Sequence, residues 1–326
     1  MRLWLRNLSQ PMPHNIKDAL LIYNPVSGRK RHRRFSDIEQ AARILKEEGI
    51  AAEFAPTTGT NSATRIARLA VEQRRGMVIA CGGDGTINEI VNGLVGSRVP
   101  LALLPAGTAN ILAKELGIPW DIPAAAHLIA DGVERRVALG MATPLPVPGQ
   151  ALSEQVRRYF LCVAGAGPDG AIVQMIGEAA KTRAGIFAYW WEGLRQLMQY
   201  RFPEMRVAGG GHDMRATLVV IGRTVNYGGP FKITIGASLF EDSFEVLVHT
   251  SRSRWRYLIC LPALWTGQLR KMDCIHAWKT TEVTCWPAKS VDVFAQVDGE
   301  PAGVLPIHFR IVPDALTLIV PKALRT

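Results

Sequence analysis

Apolar residues in this chain follow two different rhythms. In the first third, short runs rich in Val, Ile, Leu and Ala alternate with apolar stripes at three- and four-residue spacing, which predicts strands alternating with helices. Residues 19–23, 50–54, 77–81 and 99–104 read as strands. The stripe Phe35, Ile38, Ala41, Ala42 and Leu45 reads as a helix stopped by Gly49, and further helices are expected over 63–72, from Ile87 through Leu94, and over 111–116. This order predicts a parallel sheet built from βαβ units.

After about residue 138 the rhythm changes. Residues 141–149, with Pro144, Pro146, Pro148 and Gly149, read as a linker or a long loop. Beyond it, β-type runs at 159–164, 216–221, 231–235, 244–249, 282–285, 291–297, 306–312 and 316–320 predict a sandwich-like β domain. Helical patterns at 186–198 and 255–269 interrupt it. The expected fold class is therefore α/β plus all-β, with an α/β domain over 1–138, to which residues 316–326 return, and a β-rich domain over 139–315.

Composition narrows this little. With 326 residues and 48% hydrophobic content the chain is long enough for two packed domains. A net charge of +10 suits nucleic acid, anionic lipid headgroups or polyphosphate substrates, but no nucleic-acid recognition element accompanies it. Five scattered cysteines without a C-x-x-C pair favour a reduced, cytoplasmic protein without structural zinc. No run of ~18 apolar residues is present, so a soluble or peripherally membrane-bound protein is expected.

The densest chemistry lies at the ends of the strands. Gly82, Gly83 and Gly85 surround Asp84 between the strand at 77–81 and the next helix. Glycines there admit close approach of a ligand to the main chain, and a helix start suits phosphate. A bare phosphate would be repelled by Asp84, so a cation or a hydroxyl losing its proton is expected between them. The alternative is a plain tight turn. Asn24-Pro25-Val26-Ser27-Gly28 and Pro105-Ala106-Gly107-Thr108-Ala109-Asn110 end two other strands. In a parallel sheet such turns gather where ligands bind, so the three can share one site. The hydroxyls of residues 57–62 can cap the helix that follows.

Two further features admit two readings each. Asp298-Gly299-Glu300 projects two carboxylates from a strand end, yet Asp-Gly is also a common hairpin turn. The helix at 186–198, with Lys181, Arg183, Arg195 and Arg201 around it, and the helix at 255–269, with Arg252, Arg254, Arg256, Arg270 and Lys271, set aromatics and leucines beside basic residues. That suits a membrane surface or a lipid cleft, and equally a core helix with a basic rim.

Taken in chain order, Asn24-Pro25-Val26-Ser27-Gly28, Gly82-Gly83-Asp84-Gly85-Thr86-Ile87-Asn88-Glu89, Leu104 through Asn110 and Asp298-Gly299-Glu300 resemble the diacylglycerol kinase catalytic family of ATP-dependent lipid kinases. Weaker support comes from the stretches 165–170, 222–229 and 241–245. The resemblance implies a Rossmann-like three-layer α/β nucleotide-binding domain, related to those of NAD kinase and phosphofructokinase, and a β-sandwich-like lipid-binding domain, with ATP in the cleft between them. It implies that Asn24, Ser27, Gly28 and Thr57 contact the nucleotide, that Gly82, Gly83, Asp84, Gly85, Thr86 and Asn88 hold phosphates, and that Thr108 joins them. Glu300 would be the general base on the lipid hydroxyl with Asp298 beside it. Asp84 and Asp169 would belong to the Mg2+ network or orient the acceptor. Asp242, with the carbonyls of Leu239 and Phe244, would match a secondary magnesium site.

Several positions depart from the family pattern. Ile111 stands where many members have Asp; Gly167-Pro168-Asp169-Gly170 replaces Gly-Phe-Asp-Ala; Ile221-Gly222-Arg223 replaces Asn-Gly-Arg; Ser243 replaces Gly. The expected partners are a diacylglycerol-like lipid alcohol at a membrane surface and anionic headgroups, with no nucleic acid, and a homodimer is compatible with the sequence. NAD kinase activity, a sphingoid or ceramide acceptor, or a non-catalytic lipid-binding role are the alternatives.

Overall fold

The structure is a computed structural model, and it describes residues 10–11, 16–28, 34–147, 157–175, 200–228, 231–289 and 291–324. The helix expected at 186–198 lies outside the described residues. The chain divides into two compact units, residues 1–139 with 313–326, and residues 140–312.

The first unit contains β1 (Gln10–Pro11), β2 (Asp18–Tyr23), α1 (Arg34–Glu47), β3 (Ala51–Pro56), α2 (Ser62–Glu72), β4 (Met77–Gly82), α3 (Asp84–Leu94), β5 (Leu101–Pro105), α4 (Ile111–Glu115), α5 (Ile122–Ala130) and the start of β6 (Val133–Pro144). Its sheet runs β3-β2-β4-β5 with every pair parallel. All six residues of β4 and all five of β5 are buried, as their uninterrupted apolar sequences require of central parallel strands. Helix α1 packs with α5, and α2 with α3. The chain leaves β2 toward β3 and returns to β4 on the other side, which makes the gap between the carboxyl ends of β2 and β4 a topological switch point. Helix α5 was not expected from the pattern, although Asp121 caps it by accepting the Ala124 amide at 3.0 Å.

The second unit adds β7 (Arg158–Phe160), β8 (Val163–Ala166), α6 (Pro168–Met175), β9 (Met205–Gly209), β10 (His212–Ala216), β11 (Leu218–Gly222), β12 (Asn226–Tyr227), β13 (Phe231–Lys232), β14 (Phe244–His249), α7 (Arg254–Trp265), β15 (Ile275–Thr280), β16 (Glu282–Pro287), β17 (Phe294–Val297), β18 (Glu300–Val304) and most of the first half of β19 (Ile307–Val320). One antiparallel sheet runs β15-β14-β11-β8-β17-β18; a second joins β10, β9, β16 and β19. Residues of both sheets, among them Phe160, Val219, Phe244, Val283, Ile307 and Phe309, form one buried cluster, so the second unit is a sandwich.

Two expectations change here. Residues 141–144 belong to β6 and are no linker, because Gly140, Met141 and Ala142 pair with Phe160, Tyr159 and Arg158 of β7. The two strands expected at 306–312 and 316–320 are one, β19, which passes through Pro313 and a left-handed Asp314 (φ 51). Asp314 is held there by Arg136, whose Nε donates to Oδ1 at 2.7 Å.

Candidate functional site

In the first unit the three turns anticipated from the sequence meet at the switch point. Gly82 ends β4 and Gly83 precedes α3 in extended conformation. A Cβ on Gly107 would lie 2.4 Å from the Gly83 Cα, and one on Gly82 would lie 2.6 Å from the Thr86 Cβ. The two glycine turns therefore touch backbone to backbone, and glycine is a steric requirement of this contact. Asn24 joins the third turn to them: its amide nitrogen donates to Thr86 Oγ1 at 3.4 Å, its side-chain oxygen accepts from the Val26 amide at 3.0 Å, and its main-chain amide donates to Cys81. Ser27 closes the turn by donating its hydroxyl to the Asn24 carbonyl at 3.2 Å.

Asp84 opens α3, and its Oδ1 accepts the Ile111 amide at 2.7 Å. Its negative charge thus faces the first N–H of a neighbouring helix. Asn110, fully buried and left-handed (φ 46), clamps its own turn by accepting from the Gly107 amide at 2.8 Å and donating back to the Gly107 carbonyl at 3.2 Å. Thr108 is exposed at the tip of that turn.

The two remaining expected residues are Asn88 and Thr57. Asn88 is buried more than a turn into α3, where its oxygen accepts from Asn92. Thr57 lies at the end of β3, and its amide donates to the Tyr23 carbonyl at 2.8 Å. The expected hydroxyl cap of α2 is a correction: Asn61 makes no side-chain cap bond, and the Glu89 carboxylate accepts from the amides of Asn61 and Ala63 at 2.9 and 3.0 Å.

The second unit holds a separate set of acids. Asp298 and Gly299 are the two loop residues of the β17–β18 hairpin, with φ of 47 and 81, and Val297 pairs with Glu300 across it. That is the primed turn favoured by strand twist. The hairpin reading and the functional reading of Asp-Gly-Glu are therefore compatible. The buried Asp298 carboxylate accepts three main-chain amides, those of Leu161, Cys162 and Val163, at 2.8, 2.9 and 2.9 Å. It pins the 161–163 segment to the turn. Glu300, half-buried, opens β18.

Behind the turn, Gln296 links Gly299 to Asp169. Its oxygen accepts the Gly299 amide at 2.8 Å and its nitrogen donates to Asp169 Oδ2 at 2.8 Å. Tyr227 donates its hydroxyl to the other Asp169 oxygen. Burial pushes the Asp169 carboxyl up, opposed by those two donors. Space for it exists because residue 165 is glycine: a Cβ there would stand 2.0 Å from Asp169 Oδ2. Sequence reasoning missed Tyr227 and Gln296, though a glutamine within the apolar strand Phe294–Val297 was a visible signal of a buried hydrogen bond.

The secondary magnesium site expected at Leu239, Asp242 and Phe244 does not fit the residues present. The fully buried Arg223 guanidinium donates to the carbonyls of Leu239 (2.7 Å), Glu241 (3.0 Å) and Ser243 (3.3 Å). Burial brings its pKa down to about 10, with Asp242 the largest opposing influence, so it is cationic at neutral pH. A divalent ion at the Leu239 carbonyl would compete with a fixed positive charge already bonded there.

Two of the cysteines are not scattered in space. Cys260 and Cys274 Sγ atoms are 4.0 Å apart, and with His249 their ligand atoms lie within 4.8 Å of one another. His249 Nδ1 accepts the Ser251 amide at 3.2 Å, which leaves the hydrogen of a neutral ring on Nε2. That tautomer opposes metal ligation through Nε2.

Comparison with known proteins places both units. Residues 18–142 match the family model described as diacylglycerol kinase catalytic domain, and residues 162–320 match the one described as YegS C-terminal NAD kinase beta sandwich-like domain. The diacylglycerol kinase of Bacillus subtilis (strain 168) is 28% identical over 313 residues, covering 94% of this chain and 97% of that protein. That of Staphylococcus aureus (strain MRSA252) is 28% identical over 311 residues, 94% of this chain and 93% of its own. Two crystal structures from Bacillus anthracis str. Sterne superpose with TM-scores of 0.75 and 0.68 at 21% and 19% identity, covering 95% of this chain and 97% and 99% of theirs; the second is described as a diacylglycerol kinase. With both units matched in order over nearly the full length, the chain belongs to the diacylglycerol kinase catalytic-domain family and is a kinase.

Proposed function

We propose that this kinase transfers the γ-phosphoryl group of ATP to the hydroxyl of a lipid alcohol, with diacylglycerol as the acceptor and phosphatidic acid as the product. The observation that carries the reading is the backbone contact of the turns at Gly83 and Gly107 beside Asn24 and Thr86, a cradle without side chains at a switch point. Relatives named diacylglycerol kinase at 28% identity support the acceptor class.

In this reading the triphosphate lies along the turns at residues 24–28, 82–86 and 107–110. Asp84 would hold Mg2+ beside it: a carboxylate has about four lone-pair sites, and the Ile111 amide takes one. The ion supplies neutralisation of phosphate charge. Glu300 accepts the proton of the acceptor hydroxyl as its oxygen bonds the γ-phosphorus and the bond to the β-phosphate oxygen breaks, releasing ADP. Asp298 acts as a positioning residue through the 161–163 segment, and Asp169 through Gln296. Asp169 would also face the acceptor.

The test is a labelled-ATP assay over a panel of lipid alcohols in mixed micelles, with NAD as a separate acceptor and Glu300→Gln beside the wild type. Diacylglycerol phosphorylation lost in the variant supports the proposal. Labelling of NAD alone, or of a sphingoid base or ceramide alone, would replace the acceptor. No ATP consumption with any acceptor would make the chain a non-catalytic relative.

A further inference from the structure

Helix α7 breaks the rule that a surface helix turns a polar face to water. Its inner side is formed by Tyr257 and Cys260, with Leu264 packed on the small cluster of Leu247, Leu269, Cys274 and Ile275. At about 100° per residue those three positions span roughly 60° of the helix. The opposite side carries Trp255, Leu258, Ile259, Pro262 and Trp265. A soluble helix would place charges there. Instead Trp255 is 65% exposed, Ile259 58% and Trp265 71%.

The charges stand at the edges of this apolar face. On the same helical projection Arg254 and Arg256 fall on its two flanks. Both are exposed, and Arg256 Nη1 donates to Asp273 at 2.6 Å. The 22 residues from 251 to 272 contain five Lys and Arg and no Asp or Glu. Two indoles and an isoleucine rimmed by cations match an interface that is apolar a few ångströms down and anionic at its surface. A protein partner of ordinary composition would not require a segment devoid of acid. Among the described residues no helix is long and apolar enough to cross a membrane, so contact would be from one side.

We infer that the outer face of α7, centred on Trp255, Ile259 and Trp265, is a docking surface for an anionic phospholipid bilayer. The indoles sit at headgroup level, Ile259 reaches the acyl boundary, and the basic rim faces the anionic headgroups. Its biological sense rests on the lipid-kinase reading, because an acceptor with two acyl chains resides in the membrane.

The experiment uses full-length protein without nucleotide and sedimentation with vesicles of phosphatidylcholine, with or without phosphatidylglycerol. Wild type is expected to bind the anionic vesicles, more weakly at high salt, and to shift its tryptophan emission to the blue. Trp255→Ser/Ile259→Ser and, independently, Trp265→Ser are expected to bind roughly tenfold or more weakly while melting with the wild type. Phosphorylation of a short-chain, water-soluble diacylglycerol without vesicles is measured in parallel and is expected to be unchanged. Undiminished vesicle binding by both variants overturns the docking surface and leaves the kinase reading intact. No vesicle binding by wild type, with a dimer in solution that the same substitutions dissociate, overturns it in favour of a face between two copies of this chain. Failure of wild type to phosphorylate the short-chain lipid overturns the kinase reading and leaves the vesicle result standing.

Discussion

The Asp84 carboxylate accepts the Ile111 amide at 2.7 Å, tying the start of α3 to the start of α4 and so fixing the spacing of two glycine turns. The position of residue 111 contributes through its main chain, so an isoleucine serves there. Asp84→Ala is expected to cost about 1–2 kcal/mol of stability by removing the acceptor. Asp84→Asn keeps an acceptor oxygen and should restore most of that stability. If the negative charge is also needed at the phosphates, kcat with Asn stays as low as with Ala. Urea unfolding beside steady-state kinetics separates the two roles, and full activity of Asp84→Asn would remove the charge from the mechanism.

The contact between the turns makes Gly107 intolerant of any side chain. Gly107→Ala forces a Cβ to 2.4 Å from the Gly83 Cα, both on backbone, so a loss of about 1–3 kcal/mol is expected together with weaker nucleotide binding. Gly299→Ala is the control. Nothing lies within 4 Å of its Cβ position, and only its φ of 81 resists, at roughly 1 kcal/mol. Calorimetric titration of nucleotide should show the Gly107 variant impaired and the Gly299 variant near wild type.

The Asp298 carboxylate accepts three consecutive buried amides, and its replacement should be among the costliest on the sandwich. Asp298→Ala leaves those donors without an acceptor, about 3–5 kcal/mol by the usual cost of buried unpaired groups. Asp298→Asn retains one acceptor oxygen and should fall between. The turn keeps a residue tolerant of left-handed backbone in Asn but not in Ala. Denaturant midpoints in the order wild type, Asn, Ala are expected; equal midpoints would mean that the 161–163 segment is held by other bonds.

These relationships mark how far the sequence could be read. The glycine turns, the strands ending in them and the Asp298-Gly299 hairpin were legible because each depends on a residue type with narrow steric or periodic needs. The roles inside them were not. Asp298 binds amides some 135 positions away, and Arg223 binds carbonyls; main-chain groups leave no trace in residue identity. The strands expected at 306–312 and 316–320 are one, because β19 passes through Pro313 with Asp314 left-handed and held by Arg136. Helix α7 was visible as a pattern of aromatics and arginines, but which side faced solvent was a question of packing.

Because Arg223 fills the carbonyl loop at 239–243, stability of this chain without nucleotide should not depend on magnesium. Adding Mg2+ or a chelator to wild type is expected to leave Tm unchanged. Arg223→Ala frees three carbonyls next to Asp242 and is expected to destabilise strongly, by about 3–5 kcal/mol. That variant alone should then gain Tm on adding Mg2+ or Ca2+. A nucleotide-independent rise in wild-type Tm with Mg2+, abolished by Asp242→Ala, would show that a metal shares the loop after all.

His249 gives the sandwich a pH dependence of predictable sign. Burial brings its pKa down to about 4 from an ordinary 6.5, against a main-chain hydrogen bond at Ser251, while Arg256 adds to the lowering. The unfolded chain therefore binds the proton that the folded chain rejects. Its contribution is absent as a penalty above pH 6.5 and grows as pH falls toward 4, so stability falls with decreasing pH across that window. The full effect is about 3 kcal/mol. His249→Phe can keep the stacking on Tyr257, whose ring centroid is 3.9 Å away, while removing the titration. Its unfolding free energy should vary less than that of wild type between pH 4 and 6.5. Identical slopes for the two proteins would place the acid sensitivity on other groups.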